Sequence, residues 1–348
     1  QLEPQSVEDL LLKGRLESYH DPVAAEKTLD QAIALNKESI VARLIRGIVR
    51  ARGAYELGEP QFAERALDDF RIASSLLEDN SYLTSELLSA RLTAAAAYHE
   101  SGELKREETH LAEAATLAEK LARYGGDYQA HRWRAFYFDQ VGDAQQSLAE
   151  WRAIKGRSIG FLVMALYRAG LFSEAMEACD FYRTGAITGT PDFCHSFVQA
   201  AFCQSAEELE AGFQFDRIKN WDPNAAWRST FILWCLAGRP DRARSEVEQI
   251  GVPDDIDELS VTRYRYLAGE IDSATYLQLT ADSRYEHARA LSVIGVHELA
   301  QGRRELARDC FQQSINYRFN YNFFTAMARA LLAQLERSPQ WPAWIPER

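Results

Sequence analysis

The chain has 348 residues, 47% of them hydrophobic, so it can bury a sizeable core, and its formal net charge is −12. That acidity excludes the basic footprint that recognition of a phosphate backbone requires, so nucleic acid is not an expected partner. No apolar run reaches the roughly 18 to 20 residues of a membrane span, and the longest, Phe161 to Tyr167, reads as a buried helical segment of a soluble protein.

Taken in order, capping residues and prolines mark helix starts near Ser6, Ser39, Ser81, Asp127, Ser158, Thr190, Asp222, Asp254 and Ser283. Asp21-Pro22, Thr190-Pro191 and Asp222-Pro223 each place a capping side chain before a proline at the first helical position. Between these starts recurs a glycine, then a small residue five positions on, a larger one four further and another small or apolar one after three. Ala25, Leu29, Ala32 and Ala66, Phe70, Ala73 show the triplet without the glycine. Gly102 precedes Leu111 and Ala114, and Gly142 precedes Trp151 and Ile154. Gly170 leads to Ala175 and Cys179, Gly238 to Ala243 and Val247, and Gly269 to Ala274 and Ala281. The clearest copy is the last, Gly302 with Ala307, Phe311 and Ser314, preceded by Gly295. Offsets of four and three place these side chains on one helix face, and the glycine turns the chain between antiparallel helices. A solitary helix over about 321–336 follows. The tail Trp341-Pro342-Ala343-Trp344-Ile345-Pro346 cannot be helical, and its two tryptophans predict a strap over 338–348 folded onto that closing helix.

From about Ser6 to Tyr317 this pattern resembles the tetratricopeptide repeat (TPR) family. Ile294 and Gly295 stand where the family has a large residue and a glycine, Ala307 and Phe311 where it has an alanine and an aromatic, and Tyr98, Phe138 and Trp234 keep the aromatic of the first helix. Glu107 and Ser147 depart from the alanine positions. The period of roughly 34 residues drifts, with 41 residues from Ala25 to Ala66 and 28 from Ser147 to Ala175. The resemblance implies an all-α chain, a right-handed α-α superhelix of about nine antiparallel helix pairs with a C-terminal capping helix, forming one solenoid domain over 1–348. Register is weakest over 190–220, where no turn glycine appears between Ala201 and Ala206.

Catalytic motifs are missing: there is no glycine-rich phosphate loop, no paired-histidine metal helix and no glycine-flanked nucleophilic serine. The chain is therefore expected to be non-enzymatic, with no cofactor and no metal. Its five cysteines form an odd set without CxxC spacing and read as reduced core thiols, which fits a cytoplasmic protein. Gln1 in place of an initiator methionine implies a segment upstream.

In this family the first helix of each pair lines an inner groove. Counting from the small residue of each first helix predicts that Arg132, Phe136 and Asp139 look inward, as do Arg228, Ile232 and Cys235. The fifth pair offers Met164 and Tyr167, the eighth Arg263 and Tyr266, with Arg157 and Arg289 one turn earlier in their helices, and His99 serves the third. Arginine and aromatic side chains on one face suit an acidic protein or peptide partner. The competing reading is that these arginines pair with glutamates of adjacent helices, since 39 basic residues include only seven lysines. The lysine and asparagine pair by which co-chaperone relatives hold a terminal carboxylate has no counterpart in the first helices. The expected function is a scaffold binding an extended peptide or partner helix. The alternative, from a weaker resemblance in Gly295 to Tyr317 and Trp341 to Pro346, is the regulatory C-terminal region of a bacterial serine/threonine protein kinase whose catalytic domain lies upstream.

Overall fold

Many helices of this chain start on a side chain that satisfies an orphan backbone N–H, whereas those that begin at Pro60, Leu104, Ile159, Pro240 and Arg304 have no side-chain cap. In the computed structural model, which describes residues 6–18, 21–77, 79–154, 158–183, 190–213, 223–252, 256–319 and 321–348, Ser6 and Asp9 cap one another reciprocally. Asp21 accepts from the amides of Val23 and Ala24 with Pro22 behind it, and Ser39, Asp127 and Ser283 cap in the same manner. The third pair begins at Ser81 itself, with Asn80 as its cap. The eighth pair starts later than the sequence suggests, at Glu258 on an Asp257 cap, and Asp222 and Asp254 lie outside the described residues. Nineteen helices and no strand occupy the described residues, so the chain is all-α, an α-solenoid of antiparallel helix pairs.

The chain divides into two compact units, residues 1–153 and 154–348. The first holds α1 (Val7–Glu17), α2 (Pro22–Leu35), α3 (Ile40–Leu57), α4 (Pro60–Leu76), α5 (Ser81–Glu100), α6 (Leu104–Leu121), α7 (Tyr128–Val141) and α8 (Ala144–Ala153). The second holds α9 (Ile159–Arg168), α10 (Phe172–Arg183), α11 (Thr190–Gln199), α12 (Ala206–Ala211), α13 (Pro223–Leu236), α14 (Pro240–Ile250) and α15 (Glu258–Leu267). It continues with α16 (Ser273–Leu279), α17 (Arg284–Ala300), α18 (Arg304–Asn316) and α19 (Phe323–Arg337).

The predicted turn glycines Gly102, Gly142, Gly170, Gly238, Gly269 and Gly302 all have φ between +73° and +84°, a region closed to most side chains. The predicted triplets fill the seam inside each pair, with Ala25, Leu29, Ala32, Ala66, Phe70, Ala73, Ala307, Phe311 and Ser314 fully buried. Large residues of the second helix need a hole opposite. A Cβ on Gly295 would stand 2.5 Å from the Phe311 ring, and one on Gly47 2.6 Å from the Phe70 ring. The Gly269 copy departs from its predicted register. Its second helix α16 has only seven residues, Ala274 and Ala281 are exposed, and Tyr276 and Thr280 are buried instead.

In the first unit α1 to α8 stack in sequence, each helix packing on the next within its pair. The second unit closes on itself. Its first helices contact in the order α9, α11, α13, α17, α19, and α19 returns to pack on α9. The pair α15–α16 is pushed aside, since α13 rests directly against α17. Buried residues on α19 run from Phe324 through Met327, Ala328, Leu331 and Leu335, because that helix serves α9, α17 and α18 together rather than presenting a polar outer face.

The strap lies across the C-terminal ends of these first helices. Trp341 Nε1 donates to the carbonyl of Ala200 at 2.9 Å and Trp344 Nε1 to that of Leu236 at 3.1 Å. The Arg348 amide reaches Gly302 O, and the Arg337 guanidinium reaches the carbonyls of Tyr167 and Arg168. Helix C-termini leave their last carbonyls unpaired; Arg337 at the end of α19 supplies donors to those of α9, and the strap to those of α11 and α13. Arg304, buried at the start of α18, holds the strap by donating to the carbonyls of Gln340, Trp341, Pro342 and Ile345.

Candidate functional site

Three of the arginines expected to look inward converge in the second unit. Ser283 and Glu286 have the spacing of a capping box, and the Ser283 hydroxyl accepts from the Glu286 amide. The Glu286 carboxylate goes elsewhere. One oxygen accepts from Arg263 Nη2 and the other from Arg289 Nη1, each at 2.5 Å. Arg228 of α13 acts on the same carboxylate electrostatically but makes no ion pair among the described residues. Its guanidinium lies 5.1 Å from the centroid of the Phe324 ring, and that of Arg289 lies 5.2 Å from the same ring and 5.0 Å from Tyr285.

The electrostatics follow from the count of three guanidinia around one carboxylate. Burial works against ionising Glu286, but Arg289 and Arg263 outweigh it and hold the carboxyl below its ordinary range. Burial also opposes the charge on Arg263, yet Glu286 more than offsets it. Arg228 has no such help: burial, then the like charges of Arg289 and Arg263, push it well below the usual guanidinium value.

The other expected groove residues are placed differently. Phe136 is fully buried, edge-on to Trp151 at 5.1 Å. Tyr167 is fully buried between Phe172 and Phe197, and burial raises its hydroxyl pKa. Tyr266 is buried, stacked on Tyr276 at 4.6 Å with its hydroxyl on His297. These three rings are core, because a first helix must also fill the seam to its partner. His99 pairs with Glu107, the residue at an alanine position, at 2.9 Å. Arg132 and Asp139 stand partly exposed in the first unit, and Arg157 lies outside the described residues. Arg132 faces Glu86, whose carboxyl burial pushes up to about 7 despite a bond from Tyr82 and the arginine's charge.

Elsewhere in the first unit arginines pair across helices, as the competing reading holds. Arg46 forks onto Asp69 at 2.9 and 2.5 Å, and Arg50 adds a bond at 2.7 Å to the same nearly inaccessible carboxylate. An open depression of about 630 Å³ between α4, α5 and α6 is lined by Glu64, Arg91, Tyr98, Arg106, His110 and Glu113. Arg91 can only donate, so the His110 Nδ1 accepts from it at 2.9 Å and Nε2–H donates to Glu64 at 3.1 Å. That network satisfies itself.

Sequence counting found Arg228, Arg263 and Arg289 but missed Glu286, Tyr285 and Phe324. In the sequence Ser283 reads only as a helix start, and the tertiary approach of α15 is what makes Glu286, three residues on, the centre of a cationic cluster. No described helix is long and apolar enough to cross a membrane.

No known family profile and no curated protein matches the chain. Among solved structures it is similar to a tetratricopeptide repeat protein from Parabacteroides merdae, at 15% identity over 95% of this chain and 99% of that one, with a TM-score of 0.35. It is also similar to the TPR domain of P58(IPK), at 14% identity over 95% of this chain and 99% of that one, with a TM-score of 0.24.

Proposed function

We propose that this chain is a non-enzymatic protein-interaction scaffold whose first-helix face in the second unit holds an acidic segment of a partner protein. The observation that carries this reading is the meeting of Arg228, Arg263 and Arg289 at the single carboxylate of Glu286, with Arg228 left without an ion pair among the described residues. Excess buried cationic charge is costly unless something anionic offsets it. Arginine on aromatic rings is also the composition of interaction hot spots. The groove residues Arg132 and Asp139 of the first unit remain candidates for further contacts, whereas Phe136 belongs to the core of that unit and Tyr167 and Tyr266 to the core of the second.

A selection from a random dodecapeptide library tests this. Wild type should enrich peptides with several aspartates or glutamates, and Arg228→Glu should lose that enrichment by like-charge repulsion. No acidic enrichment on wild type, or equal enrichment on the variant, would overturn the proposal.

A further inference from the structure

The five first helices of the second unit run the same way. Arg337 at the end of α19 reaches the last carbonyls of α9, and the strap reaches those of α11 and α13. Their opposite, N-terminal ends meet through first-turn residues. Phe323 of α19 packs edge-on to Phe161 of α9 at 6.3 Å and to Phe193 of α11 at 6.0 Å. The arginine cluster sits among these N-terminal turns, with Phe324 beside Phe323 and Glu286 in the first turn of α17. One end of the unit is thus fastened by its own C-terminus, and the other gathers buried and half-buried arginine and phenylalanine.

We propose that Arg228, Arg263, Arg289 and the Phe324 ring form a binding site for a phosphomonoester dianion, carried by a phosphorylated peptide or by a free monoester. This rests on reading the arginine face as a binding surface and names the anion it takes. Three guanidinia against Glu286 leave a surplus of two positive charges. Asp257, the cap of α15, acts electrostatically on Arg263 more weakly than Glu286 does. The N-terminal ends of α17 and α19, each equivalent to about half a positive charge, add to the positive potential there. A dianion balances that surplus, whereas one carboxylate leaves half of it buried. The Nε–H groups of Arg228 and Arg289 are buried with no acceptor among the described residues, so two donors await oxygen atoms. Both guanidinia already lie on Phe324, which fixes them before a ligand arrives and lowers the ordering cost of binding. Planar guanidinium forks suit tetrahedral oxyanions better than lysine does, and lysine is scarce in this chain.

Isothermal titration of the full chain at pH 7.5 tests the site with five probes: inorganic phosphate, O-phosphoserine, a phosphoserine dodecapeptide, its unphosphorylated form and its glutamate-substituted form. The phosphorylated peptide should bind at least tenfold more tightly than the other two peptides. Arg228→Gln should weaken phosphate-probe binding at least tenfold while its melting temperature holds or rises, because an unneutralised buried cation has been removed. If that variant fails to fold, Arg289→Gln is read in the same way. O-phosphoserine binding as tightly as the phosphopeptide supports the site with a free monoester as its source. Glutamate and phosphoserine peptides binding alike, both sensitive to Arg228→Gln, overturn the dianion but leave the acidic-segment reading standing. Binding by none of the probes overturns both, and phosphate binding indifferent to Arg228 and Arg289 overturns the site.

Discussion

Replacing Arg304 by methionine should detach the C-terminal strap, because the side chain of that residue is its anchor. The guanidinium is buried, and only three of its protons, on Nε and Nη2, serve four carbonyls, so Nη2 is shared among Gln340, Pro342 and Ile345. Charge-assisted bonds contribute about 1.5 to 3 kcal/mol each, and three protons set a ceiling of about 5 to 9 kcal/mol. Gln340 is exposed and its carbonyl can turn to water, while methionine keeps most of the volume. The expected loss is therefore about 3 to 5 kcal/mol. Hydrogen exchange shows where it falls. Protection should drop at the C-terminal turns of α11 and α13, whose carbonyls at Ala200 and Leu236 lose their tryptophan donors although they lie 141 and 108 residues away in sequence. An Arg304→Met protein with unchanged melting, or one that frays only in α18 and α19, would refute the view that the strap binds the second unit together.

Gly295→Ala should cost about 1 to 3 kcal/mol by overpacking, since its Cβ would meet the Phe311 ring at 2.5 Å, and denaturant unfolding would measure it. In the first unit, Glu86 has a folded pKa of about 7 against an ordinary 4.5, so the folded state retains the proton and stability falls as pH rises from 4.5 to 7. Glu86→Gln should consequently stabilise by up to about 3 kcal/mol at pH 8 and by almost nothing at pH 4, and a parallel shift at both pH values would contradict this. His297 has the opposite sign. Burial and then Arg244 pull it down to about 4, so stability present above pH 6.5 is lost as pH falls toward 4, and an NMR titration of its ring should show a midpoint near 4.

The pairs were legible in the sequence because their determinants are local. Gly302, Ala307, Phe311 and Ser314 fix a turn and one helix face, and no distant residue is needed to interpret them. The fate of an arginine is not local. Arg46 and Arg228 both stand on first helices, yet Arg46 meets Asp69 across the seam while Arg228, among the described residues, finds only a carboxylate already engaged by two other arginines. That difference depends on which acids the neighbouring helix presents, and a single first helix carries no record of it. Counting also cannot separate an aromatic that lines a face from one that fills the seam, as Phe136 and Tyr266 show.

The closure of the second unit has a physical cause in its irregular pairs. α12 spans six residues and α16 seven, too short to hold a full pair in step with its neighbours. The α15–α16 pair yields its place and α13 packs directly on α17, which removes one helix from the inner layer and brings α19 within reach of α9. The size of the strap agrees. Packed helices lie about 8 to 10 Å apart, so the two steps from α11 to α13 to α17 span roughly 16 to 20 Å, a distance residues 339–348 cover although turns closed by Trp341 N on Ser338 O and Ile345 N on Pro342 O shorten them. Residues 339–348 suffice to touch α11, α13 and the end of α17 in one pass. The drift in repeat spacing is thus what allows a closed unit with an anchored end, and it is why Arg228, Arg263 and Arg289 gather around one carboxylate instead of spreading along a row of helices.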